Sequence, residues 1–355
     1  MINRPVIALL GARGAVGEQV IAQLAPVGHL RAGSRQLPVQ RHPDVEYQRV
    51  DLLDERALRQ FCQGAQLIIN CAAPGHLIGD RVARAAAALD CDYLDPGGDE
   101  PLFARLQNTQ KASPCAVLSA GMLPGLSGLL LRSAFSAFDR LYEAKGYALS
   151  CEPFSQGGAA DFLASLDNGY GVTGVALRQG ELQHCPGGAR IQLPLARASA
   201  MAYPFMTSEW QRIGQAHPHI DLTWYNLFSS EALVHWLSQR IKRDARAVDD
   251  LVALSVQACV GQQPQHLVAV EASGERQGIF ERRACVIECS SGAQLTAAVT
   301  TFTALNMVQG KIPPGLHFAA DVLPATATLQ FMQRQLENFC WLELPSLTSH
   351  EEGAI

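Results

Sequence analysis

Hydrophobic positions in the first third of the chain come in short unbroken runs, each followed by a stretch where they recur every three or four residues. Pro5-Val6-Ile7-Ala8-Leu9-Leu10 is the first run, and its continuity suits a parallel strand covered on both faces. Val16, Val20, Ile21 and Leu24 then fall on one helical stripe that Pro26 closes. A second strand is expected at His29-Leu30-Arg31-Ala32 and a third over 45–50, ending at Asp51, after which Asp54 caps a short helix. Residues 66–71 read as a fourth strand, with an alanine-rich helix behind it to about Leu89; Tyr93-Leu94-Asp95 and 115–118 are the fifth and sixth. Such alternation predicts an α/β fold, a Rossmann-type doubly wound parallel sheet.

Beyond about residue 138 the rhythm changes. Longer alternating runs lie at 141–149, 172–182 (turning at Arg178-Gln179-Gly180), 267–272 and 278–288, and they read as antiparallel hairpins. Helices are expected between them at 158–166, 230–241 and 248–260. The result is a second, α+β domain on an open mixed or antiparallel sheet that could pair across a homodimer. Residues 296–307 predict a helix returning to the first domain, and Pro313-Pro314-Gly315 breaks the chain afterwards. The expected division is 1–125 for dinucleotide binding, 126–309 for substrate and dimerisation, and 310–355 as a C-terminal segment returning to the first domain.

A chain of 355 residues exceeds the size at which single cores stop growing, so two domains are the default. Charged residues are 17% and the net charge is −5 with no basic run, which gives no electrostatic case for nucleic acid or an anionic membrane. No apolar stretch approaches the roughly 20 residues of a membrane span. Ten cysteines without a C-x-x-C pair, and an N-terminus that runs straight into a strand, suggest a cytoplasmic protein handling a small molecule.

The turn Gly11-Ala12-Arg13-Gly14-Ala15-Val16-Gly17 gives that molecule a chemistry. Gly11 permits a tight turn, Gly14 lets backbone amides approach a pyrophosphate, and Gly17 lets the helix pack on the strand. The NAD-binding version places a carboxylate about 20 residues further on, to take the ribose hydroxyls. Here the second strand ends at Gly33-Ser34-Arg35 instead. A hydroxyl and a guanidinium suit the 2′-phosphate of NADP, with Arg13 flanking the adenine. Asp51, Cys71-Ala72-Ala73-Pro74 and Gly121-Met122, at or just beyond later strand ends, complete the expected cofactor lining.

The turn, the arginine tip, Cys71-Ala72-Ala73-Pro74-Gly75, Asp92-Tyr93-Leu94-Asp95 and Gly121-Met122-Leu123-Pro124-Gly125-Leu126-Ser127 together resemble the saccharopine dehydrogenase family over residues 5–130. That resemblance implies NAD(P)H-dependent chemistry at a C–N bond and a substrate pocket carried mostly by the second domain. Tyr203-Pro204-Phe205, Ser208-Glu209-Trp210 and Trp224-Tyr225-Asn226-Leu227-Phe228 look like the thiazolinyl imine reductases of pyochelin-type siderophore assembly. These reduce a thiazoline C=N on an intermediate tethered to a carrier domain of a nonribosomal peptide synthetase.

Imine reduction needs a hydride donor held against the carbon and a proton for the nitrogen. His76, just past the fourth strand, is the first candidate acid, because imidazole titrates in the right range. Asp95 and Asp99 could orient substrate or relay a proton, and Asp161 and Tyr225 are the candidates from the later part of the chain. His217-Pro218-His219 lacks a third ligand at useful spacing, so no metal is expected. Two other readings stay open: a saccharopine- or opine-type amino-acid dehydrogenase, and an NADP-binding sensor without catalysis.

Overall fold

The apolar runs of the first third become the strands of a parallel sheet. The computed structural model describes residues 4–108, 114–166, 169–239 and 245–347. The last two residues of the helix expected at 230–241 lie outside them. In chain order the first strands are β1 (Val6–Leu10), β2 (His29–Ser34), β3 (Val45–Arg49), β4 (Leu67–Asn70), β5 (Asp92–Leu94) and β6 (Cys115–Leu118). Then come β7 (Arg140–Cys151), β8 (Gly171–Thr173), β9 (Val175–Arg178), β10 (Glu181–His184), β11 (Ala189–Ile191), β12 (Ala200–Thr207), β13 (Asp221–Phe228), β14 (Gln265–Arg276), β15 (Ile279–Cys289), β16 (Gly315–Phe318) and β17 (Phe339–Leu344).

The first sheet has seven strands in the order β16-β6-β5-β4-β1-β2-β3, with every pair parallel. Strand order reverses between β1 and β4, the position where open α/β sheets bind ligands. On one face, Ala8, Leu10, Phe61, Ile68, Val82, Tyr93 and Leu118 form a continuous core. The alanine-rich helix behind β4 is in two pieces, Gly75–Ile78 and Arg81–Ala88, because Gly79 takes a left-handed φ of 61° between them. Where a break was expected after Pro313-Pro314, β16 joins the sheet beside β6.

The second sheet is mixed, and the hairpin reading holds for two of its pairs. β9 turns into β10 at Gln179-Gly180, and β14 into β15 at Gln277-Gly278; both central residues of each turn have positive φ, which matches the twist of the flanking strands. β7 is no hairpin strand: it lies between β13, to which it is parallel, and β14, to which it is antiparallel.

The chain divides into two units whose boundaries differ from the expected ones. The first unit takes residues up to Leu129, Gly157–Ala164 and Ala293–Leu336; the second takes Leu130–Gln156, Ser165–Gly292 and the described residues from Glu337. The segment expected to return to the first domain from 310 onward therefore does so only to Leu336, and β17 pairs with β15. No helix among the described residues is long and apolar enough to cross a membrane.

Where β7 ends, Glu152 gathers three donors of the second unit. Its Oε2 lies 2.7 Å from His266 Nε2 and accepts the Gly292 N–H at 3.3 Å, while Ser291 Oγ reaches Oε1 at 3.5 Å. The His266 hydrogen bond leads in holding the carboxyl below its ordinary value near 4.5, against the opposing effect of burial. A depressed carboxyl stabilises the fold above that ordinary value and loses its contribution as pH falls through the lowered one. We therefore expect Glu152→Gln to lower the urea midpoint at pH 7, by a margin that shrinks in acid as the wild-type carboxyl is itself protonated.

Candidate functional site

Sterics dictate the turn after β1. Gly11 has φ +87°, and a Cβ there would stand 2.4 Å from the Cys71 carbonyl carbon on the neighbouring strand end. A Cβ on Gly17 would stand 2.2 Å from the Gly11 carbonyl oxygen, whereas one on Gly14 would meet that oxygen at 3.3 Å. Two of the three glycines thus let strand, turn and helix touch. The N–H groups of Gly11 and Ala12 donate to the Gly33 carbonyl, fixing the turn against the end of β2.

The helix Ala15–Leu24 begins at Gly14 without a side-chain cap, and its first internal bond runs from Glu18 N–H to the Gly14 carbonyl. The amides of Ala15, Val16 and Gly17 precede that ladder. An uncapped first turn with aligned amides favours an anion. These features fit the pyrophosphate of a dinucleotide.

At the tip of β2, Arg35 is exposed. Arg13 Nη1 donates to Gln36 Oε1, so the guanidinium expected to flank adenine is oriented by a residue that the sequence pattern did not single out. Ser34 Oγ donates to the Gln36 carbonyl at 2.6 Å, so its hydroxyl must turn before it can donate to a phosphate. Asp51 accepts the Leu53 N–H at 3.0 Å in a local turn.

Across the switch point, β4 ends in Asn70 and Cys71. Burial, with the Asp95 charge second, pushes the Cys71 thiol far above its usual range, so it stays protonated. Asp95 itself is buried, and both of its oxygens are occupied. Oδ2 accepts from Tyr93 Oη at 2.6 Å and Asn70 Nδ2 at 2.9 Å; Oδ1 accepts the N–H groups of Gly97 and Gly98 at 2.9 and 2.8 Å. With four donors on one carboxylate, Asp95 braces the edge of β4 and β5, and the donor set leaves no oxygen turned to a substrate. Burial and the Asp95 charge push the Tyr93 phenol well up, which keeps it a donor. The sequence signal for this brace was Asn70, a polar residue closing an otherwise apolar strand. Asp99 stands at the N-cap position of the next helix, Glu100–Leu106.

His76 and Asp161, singled out separately, meet within the first unit. Asp161 lies on the helix Gln156–Ser165. Its Oδ1 accepts the Gly75 N–H at 2.8 Å and stands 3.7 Å from His76 Nδ1, an ion pair whenever the imidazole is protonated. Burial raises the Asp161 carboxyl above its usual value, with the Gly75 N–H and His76 pulling the other way. The loop after β6 is held from the same unit: Met122 N–H donates to Thr296 Oγ1 at 3.3 Å, and Thr300 Oγ1 donates to the Ala120 carbonyl at 2.8 Å. Threonines at i and i+4 in the apolar helix Gly292–Val308 were the missed signal.

Tyr225 belongs to the second unit. It stacks on Tyr147 with ring centroids 5.3 Å apart and planes 13° from parallel, and its hydroxyl lies 3.9 Å from Cys185 Sγ. Burial leads in pushing its phenol up to about 12, which makes it a poor acid. Neighbouring Trp224 faces the other side of β13, fully buried edge-on against Trp210. Trp224 and Tyr225, adjacent in the sequence, therefore belong to two separate features.

Comparison with known proteins agrees with this architecture. The model of the NAD dependent epimerase/dehydratase family matches residues 7–94, the dinucleotide-binding part of the first sheet. A probable mitochondrial saccharopine dehydrogenase-like oxidoreductase of Arabidopsis thaliana is 39% identical over 57 residues, which is 16% of this chain and 13% of that protein. Over nearly the whole chain the fold is that of apo saccharopine dehydrogenase (L-Glu forming) from Saccharomyces cerevisiae, with a TM-score of 0.70 at 14% identity, covering 96% of this chain and 100% of that one. Uronate dehydrogenase from Agrobacterium tumefaciens aligns with 26% of this chain at 21% identity and a TM-score of 0.25, covering 41% of its own chain.

Proposed function

We propose that this protein is an NADPH-dependent reductase of a C=N bond, converting a thiazoline to a thiazolidine on a carrier-bound siderophore intermediate. The observation that carries the reading is the His76–Asp161 pair, placed just beyond β4 of a dinucleotide-binding sheet. The cofactor would be held by the turn Gly11–Gly17, by Arg13, Ser34 and Arg35 at its adenosine end, and by the strand ends at Cys71-Ala72-Ala73-Pro74 and Gly121-Met122, with Asp51 beside them. When bound, it supplies the hydride.

The chain's own task is to bring a proton to the nitrogen. Protonated His76 faces Asp161 through Nδ1, which leaves Nε2 for the substrate nitrogen. Asp161, anchored by the Gly75 N–H, stands 3.7 Å from Nδ1 and orients the ring. Asp95 keeps the neighbouring strand ends in place, and Tyr225, its phenol pushed up to about 12, is not assigned the proton transfer.

Three arginines of the second unit, each engaged within the protein, support a neutral substrate over the dicarboxylate of an amino-acid dehydrogenase. Arg178 is tied to Thr223, the Leu222 carbonyl and Asp221; Arg190 to Glu231; Arg197 to Glu288 and the carbonyls of Gln263 and Pro264. The same reading has the protein act as a cytoplasmic homodimer.

The test follows absorbance at 340 nm with NADPH and a thiazoline acyl substrate. Thiazolidine formed in step with NADPH loss is expected. Oxidation of NADPH only with a 2-oxo acid plus an amino acid would move the protein to the amino-acid dehydrogenases, and tight NADPH binding without turnover on any imine would make it a sensor. For cofactor choice, removing a charge-assisted hydrogen bond at Arg35 corresponds to about 10- to 100-fold. Arg35→Glu should raise the KM for NADPH by that much and alter the KM for NADH far less; equal effects would remove the 2′-phosphate assignment.

A further inference from the structure

We infer that Cys151 and Cys259 form a held thiol pair in the second unit that a two-electron oxidant converts into an intramolecular disulfide. Their sulfurs lie 4.0 Å apart although 108 positions separate them in the chain. Cys151 Sγ is also 3.0 Å from Gln262 Oε1, so its single proton goes to the amide oxygen and its sulfur faces Cys259.

The pair is no accident of two flexible side chains. The segment leaving β7 runs alongside the helix Ala245–Ala258 in the opposite direction, and hydrogen bonds fix that register further along. Phe154 N–H donates to Ser255 Oγ at 2.9 Å, and Gln156 Nε2 to Asp249 Oδ1 at 3.0 Å. Ser255 Oγ donates in turn to the Val252 carbonyl at 2.7 Å, which settles it as the acceptor from Phe154. Cys151 sits at the last residue of β7 and Cys259 one residue past the helix, so each sulfur is carried on backbone held by secondary structure.

Access is asymmetric. Cys151 is buried and Cys259 is partly exposed, so a soluble oxidant meets Cys259 first. Burial, then the neighbouring Cys151, holds the Cys259 thiol up at about 11. Little thiolate exists at neutral pH, which makes oxidation slow. With a peroxide as oxidant, Cys259 Sγ takes one oxygen to become a sulfenic acid and releases water. Cys151 Sγ then attacks that sulfur, the S–O bond breaks, and a second water leaves with the Cys151 proton. The sum is one S–S bond formed, two S–H bonds lost, and one peroxide reduced to two waters.

The product would tie the end of β7, flanked by β13 and β14 in the second sheet, to the helix beside it. The test uses the intact protein, treated with hydrogen peroxide or diamide, alkylated after unfolding, digested and read by mass spectrometry. Two fewer alkylated thiols, a single peptide pair joining Cys151 to Cys259, and a Tm several degrees higher that reverts with dithiothreitol are expected. Cys259→Ser and, separately, Cys151→Ala should abolish the cross-link. All ten thiols still alkylated after treatment, a different pair joined in wild type, or an unchanged loss in either variant would each overturn the assignment.

Discussion

His76→Ala is expected to lower kcat for imine reduction by about 100- to 10,000-fold, the range that a positioned acid contributes, with NADPH affinity left nearly unchanged. The split follows from the geometry. His76 lies in the short helix Gly75–Ile78 beyond β4, while the amides expected to take the pyrophosphate are at the head of the first helix. Asp161→Asn makes the companion measurement. It keeps an acceptor for the Gly75 N–H but removes the anion 3.7 Å from the ring, so kcat should fall while NADPH affinity holds. If both variants turn over like wild type at every pH, the proton comes from elsewhere.

Gly17→Val is expected to be the most damaging change at the cofactor site. Its Cβ would overlap the Gly11 carbonyl, itself fixed because Gly11 and Ala12 donate to Gly33 while Gly11 abuts Cys71. Overpacking of this kind costs about 1–3 kcal/mol, and if the turn absorbs it, dinucleotide affinity falls by about 5- to 150-fold. Gly14→Ala is the graded control, since its Cβ meets the same oxygen at 3.3 Å and a shift of a few tenths of an ångström relieves it. Equal losses at Gly14 and Gly17 in parallel binding titrations would mean that packing of the turn is not what the glycines provide.

Local features were legible in the sequence and long-range ones were not. The strand-turn-helix of residues 6–24 could be read because its signals, an apolar run, three glycines and a helical stripe, are contiguous. His76 and Asp161 could each be singled out by chemistry, but nothing in the sequence pairs residues so far apart along the chain. Asp95 looked like a free acid because three of its four donors, the Tyr93 hydroxyl and the Gly97 and Gly98 amides, gain their aim only when the strand end closes. β13 escaped notice because Trp224 and Tyr225 are both aromatic, yet a strand sends adjacent side chains to opposite faces, one into the core and one onto Tyr147. β16 was masked by the two prolines before it.

The most direct measurement is a titration of the purified protein with NADPH and with NADH, followed by nicotinamide fluorescence. Saturable binding of one NADPH per chain, tighter than NADH by about tenfold or more, is the result expected from an uncapped helix head and a guanidinium at the tip of β2. Failure of either nucleotide to bind saturably would contradict the proposed reductase at its foundation.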